Sequence, residues 1–428
     1  MNIIIALLIF SVLVIFHEFG HFIVAKKCGV VVNEFSLGMG PRLCSIERGG
    51  TRYSVKLFPF GGSCAMLGED EADTQEGSFN SKSVWARMAI VFAGPFFNFI
   101  LALLLALIVV GYAGADIPYI NHVREGSAAY EAGLREGDRI VKYNGADATI
   151  SRAISLEDYI NPLTSSSQVE IKYKRDGKTQ TATFAPEKKY MVGIGYNVYE
   201  NVPAVIDTVV ENGAMEVAGV KEGDIIVSIE GNKINSGKEL NEYIENHPWD
   251  SQKREITLTR DGEEFTVMVE AKDSDTYTTG IGINYDRSKQ GILGTVKYSL
   301  AEVKYNVDMV IKSLGMLIRG KVSTNDMSGP IGIVDTIGTV YENVKPSGFV
   351  TILMTMLNLA IMLSANLGVM NLLPIPALDG GRLLFFIIEA VRRKPVDRDK
   401  EGFVHFVGFV LLMILMLFLI VNDIKRIL

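Results

Sequence analysis

The sequence predicts a mixed fold: a polytopic α-helical membrane protein with four transmembrane helices, a membrane-associated β-hairpin, and a tandem of small α+β extracytoplasmic domains. Three observations predict it: four long apolar runs, a bias of Lys and Arg toward two of the loops, and an internal repeat. At 428 residues the chain exceeds one ordinary core, and 48% apolar against 21% charged residues argues against a disordered protein. A formal charge of −7 gives no cationic field for a phosphate backbone, so nucleic acid is not an expected partner.

The first run carries no charge from Met1 to Phe16 and resumes its apolar character through Ala25 after His17 and Glu18. It has neither the basic leader nor the small-residue cleavage site of a signal peptide, so it reads as a span. Met88 to Ala115, Pro346 to Leu378 and Gly402 to Asn422 are the other three, each beyond the ~20 residues that cross a bilayer. Four spans put both termini on one side. Lys26, Lys27, Arg42, Arg48, Arg52, Lys56, Lys82 and Arg87 fall between spans one and two, and Arg382, Arg392, Arg393, Lys394, Arg398 and Lys400 between three and four. Those loops are predicted to be cytoplasmic and Asp116 to Lys345 extracytoplasmic. Cys28, Cys44 and Cys64 then sit on the reducing side as free thiols.

Between spans two and three, Arg135-Glu136-Gly137-Asp138 recurs as Lys221-Glu222-Gly223-Asp224, a spacing of 86 residues (135 to 221). Ile171 to Gly177 recurs as Ile256 to Gly262, a spacing of 85 (171 to 256), and Gly193-Ile194-Gly195 matches Gly280-Ile281-Gly282. Ordered recurrence of this kind means two copies of one domain. Asp176-Gly177 and Asp261-Gly262 are turn dipeptides between alternating runs, so each copy holds a β-hairpin. The expected division is 1–115 for the first membrane part, 116–199 and 200–288 for the copies, 289–345 for a connecting segment and 346–428 for the second membrane part. Within the connector, Leu293, Val296, Leu300, Val303, Val307 and Ile311 give Gln290 to Arg319 the period of an amphipathic helix, lying near the outer surface or packed on the second copy.

The chemistry is concentrated in His17-Glu18-Phe19-Gly20-His21, an H-E-x-x-H pattern inside the first span. Residues four apart share a helix face, so both imidazoles can address one ion, and three polar groups in an apolar span are costly without a function. A catalytic zinc takes three protein ligands and leaves a place for water. The third run ends in Asn371-Leu372-Leu373-Pro374-Ile375-Pro376-Ala377-Leu378-Asp379-Gly380-Gly381-Arg382, which makes Asp379 the candidate third ligand. The alternative for Asp379 is an interfacial ion pair with Arg382. His122 and His247 read as surface or core residues, and His405 as an interfacial hydrogen-bonding group at the start of span four.

Taken together, these motifs resemble the site-2 protease family of intramembrane zinc metalloproteases, in particular the bacterial type that regulates envelope-stress sigma factors. The resemblance spans nearly the whole chain and includes Gly38-Met39-Gly40-Pro41, Phe92-Ala93-Gly94-Pro95 with Asn98, and Ser328-Gly329-Pro330-Ile331-Gly332. It implies that the repeat copies are tandem PDZ domains of the circularly permuted bacterial kind, which take or exclude peptides. It also implies that His17, His21 and Asp379 bind Zn2+, that Glu18 is the general base, and that Asn371 holds the substrate backbone, with a helix-break cap as the alternative for Asn371. The implied setting is a multi-pass protein of the bacterial inner membrane, with the active site toward the cytoplasm and the lipid bilayer around it. The implied partners are single-pass membrane substrates such as trimmed anti-sigma factors and remnant signal peptides, and an upstream site-1 protease. Gly61 to Met66 departs from the family pattern, where an aromatic and a basic residue are more common. The predicted hairpin, Arg42 to Phe60 around Gly49-Gly50, offers an edge to an unwound substrate or is a plain cytoplasmic hairpin. A membrane-tethered PDZ scaffold without turnover and a metal transporter are the competing functional classes; the first leaves an intact Glu18 unexplained, and the second leaves both Glu18 and two peptide-binding modules unexplained.

Overall fold

A computed structural model describes residues 2–69, 75–321 and 328–427. Met1, where the first predicted span begins, and residues 322–327 of the predicted connector lie outside the described residues. The chain forms two compact units, Met1–Ala115 with Arg287–Leu428, and Asp116–Asp286.

The first unit contains helices α1 (Asn2–Lys27), α2 (Val84–Ala113), α3 (Ile292–Ile318), α4 (Pro330–Val344), α5 (Phe349–Leu372), α6 (Asp379–Arg392) and α7 (Arg398–Ile427). Of these, α1, α2, α5 and α7 are long and apolar enough to cross a membrane. Small residues set their spacing. A side chain at Gly20 would place its Cβ 2.3 Å from the Ala93 carbonyl oxygen, so α1 and α2 meet backbone to backbone. Ala102, Ala106 and Val109 of α2 are buried with Ile361 of α5, and Leu13, Leu101 and Leu363 join the three helices in a neighbouring cluster.

Helix α3 forms where the apolar period predicts one, and it packs on the protein largely through its polar face. Ser299, Glu302 and Asn306 are buried where α3 packs on α2 and α5, while Leu293, Val296, Leu300 and Ile311 are exposed. The period marks a face turned largely away from the protein, as befits an amphipathic helix beside apolar spans, with Val303 at its margin packed against Ala102, Ala106 and Val109.

The hairpin is longer than the predicted Arg42 to Phe60: strands β1 (Val32–Arg48) and β2 (Thr51–Met66) turn at Gly49-Gly50. Both strands fold back on themselves. Glu34, Phe35, Ser36 and Leu37 align with Ala65, Cys64, Ser63 and Gly62 on one side and with Arg52, Tyr53, Ser54 and Val55 on the other. Glycine permits the bend: Gly38 has φ +81°, and a Cβ there would lie 2.3 Å from the Phe58 carbonyl oxygen. Glu34 anchors the sheet by accepting from Ser54 Oγ (2.6 Å) and Arg42 Nη2 (2.8 Å); these bonds, with Lys56 nearby, outweigh burial and hold its carboxyl down to about 2.

The second unit explains the repeat and corrects its boundary. The recurring Asp and Arg form the same bidentate pair in each copy: Arg175 donates to Asp138 at 2.7 and 2.6 Å, and Arg260 to Asp224 at 2.7 Å twice. Burial alone would raise the Asp224 carboxyl, but Arg260 and the Lys221 N–H bring it below the usual range. Both Asp-Gly turns have positive φ at each residue, matching the predicted two-residue hairpins. The Gly-Ile-Gly strands, however, are exchanged between the copies. Ile281–Ile283 pairs with Ile120–Val123 of the first copy, whereas Ile194–Tyr196 pairs with Ala204–Val209 of the second. The division expected at 199 and 200 therefore fails. The second copy is inserted into the first, and a ribbon of Glu187–Met191 with Lys272–Thr278 carries the chain out and back. The buried cores agree, since Ile281 and Ile283 pack with Ile140 and Ile171, and Ile194 with Ile226 and Ile256.

Candidate metal centre

His17 and His21 lie one turn apart on α1, 9% and 8% exposed, with their Nε2 atoms 3.2 Å apart. Asp379 arrives from the first turn of α6, and its Oδ2 lies 3.2 Å from His17 Nε2 and 3.5 Å from His21 Nε2. That oxygen is buried and has no hydrogen-bond partner among the described residues. The pairing of Asp379 with Arg382 does not occur; Arg382 binds Glu69 instead.

The Pro-rich segment delivers Asp379 through backbone contacts that only its own sequence allows. Cβ atoms at Gly380 and Gly381 would lie 2.1 Å from the Leu373 carbonyl oxygen and 2.5 Å from that of Ile375, so the first turn of α6 folds directly onto the preceding loop. Ala377 holds a left-handed φ of 79°, and its N–H donates to His405 Nδ1 at 2.9 Å. His405 thus makes the hydrogen bond expected of it, and through Ala377 it braces the loop bearing Asp379.

Helix α2 closes the centre from the other side; the sequence reading named Gly94 and Asn98 only within the family resemblance, without a role, and missed Ile90. His21 Nδ1 faces the Ile90 carbonyl at 2.9 Å. A carbonyl only accepts, so Nδ1 carries a proton and Nε2 is the nitrogen that faces Asp379. Gly94 lies flat against both rings: a Cβ there would be 2.2 Å from His21 Nε2 and 2.9 Å from His17 Cε1. Asn98, wholly buried, brings its amide nitrogen 3.0 Å from His17 Nδ1. The signal in the sequence was the pair Gly94 and Asn98, four apart on one face of an apolar span, where an amide is costly unless it is used.

Glu18 is half-buried next to the sheet. A Cβ on Gly62 would lie 3.3 Å from its Cγ, so the β2 segment from Gly62 to Ala65 runs past the carboxylate. Asn371 occupies the last turn of α5, and its side chain makes no hydrogen bond among the described residues. The cap alternative for Asn371 thus has no counterpart. His122 lies near Glu136, and His247 faces the Tyr243 carbonyl, both in the second unit. The three cysteines are free, as expected.

Three donor atoms at 3.2, 3.2 and 3.5 Å would repel one another as bare lone pairs and a carboxylate oxygen, and need a proton or a cation among them. A tetrahedral dication with bonds of ~2.0–2.2 Å places its ligand atoms roughly 3.3–3.6 Å apart, which is this spacing. The set of two imidazoles and one carboxylate suits zinc in a catalytic site with a position left for water.

Known proteins similar to this chain include zinc metalloproteases. "Zinc metalloprotease RasP" of Geobacillus kaustophilus (strain HTA426) is 33% identical over 98% of this chain and 97% of its own length. "Regulator of sigma-W protease RasP" of Bacillus subtilis (strain 168) is 31% identical over 98% of this chain and 97% of its own. A solved PDZ domain of HtrA3, bound to a phage-derived ligand, covers 23% of this chain at 15% identity and a TM-score of 0.18, a level that assigns no fold. Residues 5–415, from the H-E-x-x-H helix through the Asp379 loop into α7, match peptidase family M50, and the chain belongs to that family.

Proposed function

We propose that the protein is a zinc endopeptidase that hydrolyses peptide bonds of single-pass membrane proteins within the bilayer, with His17, His21 and Asp379 as the zinc ligands and Glu18 as the general base. The observation that carries the reading is the convergence of the three donor atoms from α1 and α6 beside that carboxylate. Bound there, zinc supplies an activated water and polarises the scissile carbonyl. Glu18 takes the proton released as water attacks and delivers it to the departing amine nitrogen, the two halves of general acid–base catalysis.

A helical substrate hides its carbonyls, so it must unwind before attack, and its freed backbone groups need partners in the bilayer. Gly62 to Ala65 pairs on one side with Leu37 to Glu34 and passes Glu18, which makes it the edge best placed to accept the unwound strand. This moves the proposed docking edge from Arg42–Phe60 to the far end of β2. Asn371, with its amide free, is the proposed clamp on the substrate main chain. A cavity of about 560 Å3, lined in part by Glu69, Arg382, Glu401 and His405, opens beside the start of α6 and is the proposed route for water toward the centre.

The Lys and Arg bias supports a cytoplasmic side for the centre, and the paired domains of Asp116–Asp286 are read as PDZ-like modules across the membrane that restrict entry. Trimmed anti-sigma factors are the favoured substrates, in line with the sigma-W relative, with remnant signal peptides as a second group. An upstream site-1 protease would supply the trimmed form. The test is cleavage by the full chain of a single-pass model peptide in liposomes. Turnover that stops on adding a zinc chelator and returns with zinc is expected; zinc binding with metal flux and no cleavage would select the transporter, and zinc binding with neither would select the scaffold.

A further inference from the structure

Zinc ligation by His17 requires a lone pair on Nε2, and in a neutral imidazole that requires a proton on Nδ1. For His21 the Ile90 carbonyl enforces this state, but His17 has no such carbonyl. Its Nδ1 faces Asn98, whose amide nitrogen lies 3.0 Å away and whose Oδ1 is buried with no partner. In that orientation the amide donates, Nδ1 accepts, and Nε2 must carry the proton; its neighbours at 3.2 Å are Asp379 Oδ2 and His21 Nε2, and the carboxylate oxygen can take that hydrogen bond. Such an arrangement satisfies a metal-free centre and cannot ligate through His17. Exchanging the amide oxygen and nitrogen of Asn98 alters no other atom, since the two ends are nearly the same size. Oδ1 then accepts from His17 Nδ1–H and Nε2 is free, with the amide nitrogen in the buried place that Oδ1 leaves.

We propose that Asn98 is a positioning residue for the zinc site: its side-chain oxygen accepts the His17 Nδ1 proton and selects the tautomer that binds the metal. The inference rests on the zinc reading above. The position is fixed tightly enough for the role. Asn98 is fully buried, its own backbone carbonyl accepts from Ser364 Oγ at 2.7 Å, and Gly94 one turn earlier lies against both rings. An outer partner of this type commonly accounts for 10–100-fold in metal affinity.

The test is zinc affinity of the full chain in detergent, by competition with a chromophoric chelator, for wild type, Asn98→Leu and Asn98→Asp. Leucine matches the shape and cannot accept; aspartate accepts and cannot donate. The expected result is a ~10–100-fold loss for Asn98→Leu and affinity within about threefold of wild type for Asn98→Asp. Equal affinity in wild type and Asn98→Leu, or equal losses in both variants, would overturn the assignment. Nitrogen NMR of ring-labelled wild type loaded with zinc gives a second readout that needs no variant to fold: a proton on His17 Nδ1 is expected, and one on Nε2 overturns the proposal. A wild type with no zinc affinity would overturn the zinc reading itself, and this assignment with it.

Discussion

Glu18→Gln should reduce cleavage of a single-pass peptide by about 10²–10⁴-fold while the purified protein keeps the zinc content of wild type. The substitution keeps the size of the side chain and removes its ability to hold a proton between attack and departure of the amine. Glu18 is not among the three converging ligands, and its neighbour is Gly62 of the sheet, so the exchange leaves His17, His21 and Asp379 where they are. Turnover and metal content, measured on the same preparation, separate the two roles. Unchanged cleavage would remove Glu18 from the chemistry, and lost zinc would make it part of the metal site.

Gly94→Ala is expected to be damaging through a different link, the metal site itself. Alanine in place of glycine inside a helix ordinarily stabilises by about 1 kcal/mol. At Gly94 the added methyl would lie 2.2 Å from His21 Nε2, the atom assigned to the metal, and 2.9 Å from His17 Cε1. The rings must move or the helices must part, and overpacking of this kind costs about 1–3 kcal/mol, or roughly 5–150-fold in zinc affinity. Gly315→Ala is the control: it lies in α3, where a Cβ meets nothing within 4 Å, and zinc affinity should be unchanged there. Chelator competition on both variants checks the pair, and wild-type affinity in Gly94→Ala would show that α2 does not pack on the rings as described.

How much of this was legible in the sequence depends on the range of the interaction. The i, i+4 histidines follow from helical geometry alone, and Asp379 stood out because a carboxylate at the end of an apolar run needs a partner. The Asp-Gly hairpins were equally local, and the recurring Asp138 and Arg175 pattern revealed the repeat before its ion pair was known. Long-range strand exchange was not legible, because Gly193-Ile194-Gly195 and Gly280-Ile281-Gly282 are alike in both copies and either could serve either sheet. The face that α3 packs on the protein was left open by the sequence for a different reason: apolar residues seek lipid as readily as protein, so a periodic stripe beside membrane spans does not say which side is inside. Ile90 escaped notice because it acts through its carbonyl, to which any residue type contributes. The backbone turns that seat Asp379, at Ala377, Gly380 and Gly381, became intelligible only when their contacts were visible.

The most direct measurement is X-ray absorption at the zinc edge of the purified full chain, beside Asp379→Asn and His21→Ala. Two imidazole nitrogens and one carboxylate oxygen at ~2.0–2.2 Å are expected for wild type, with one ring lost in His21→Ala and the carboxylate signal weakened in Asp379→Asn. A zinc shell identical in all three proteins, or one containing sulfur, would contradict the convergence of α1 and α6 on a single ion.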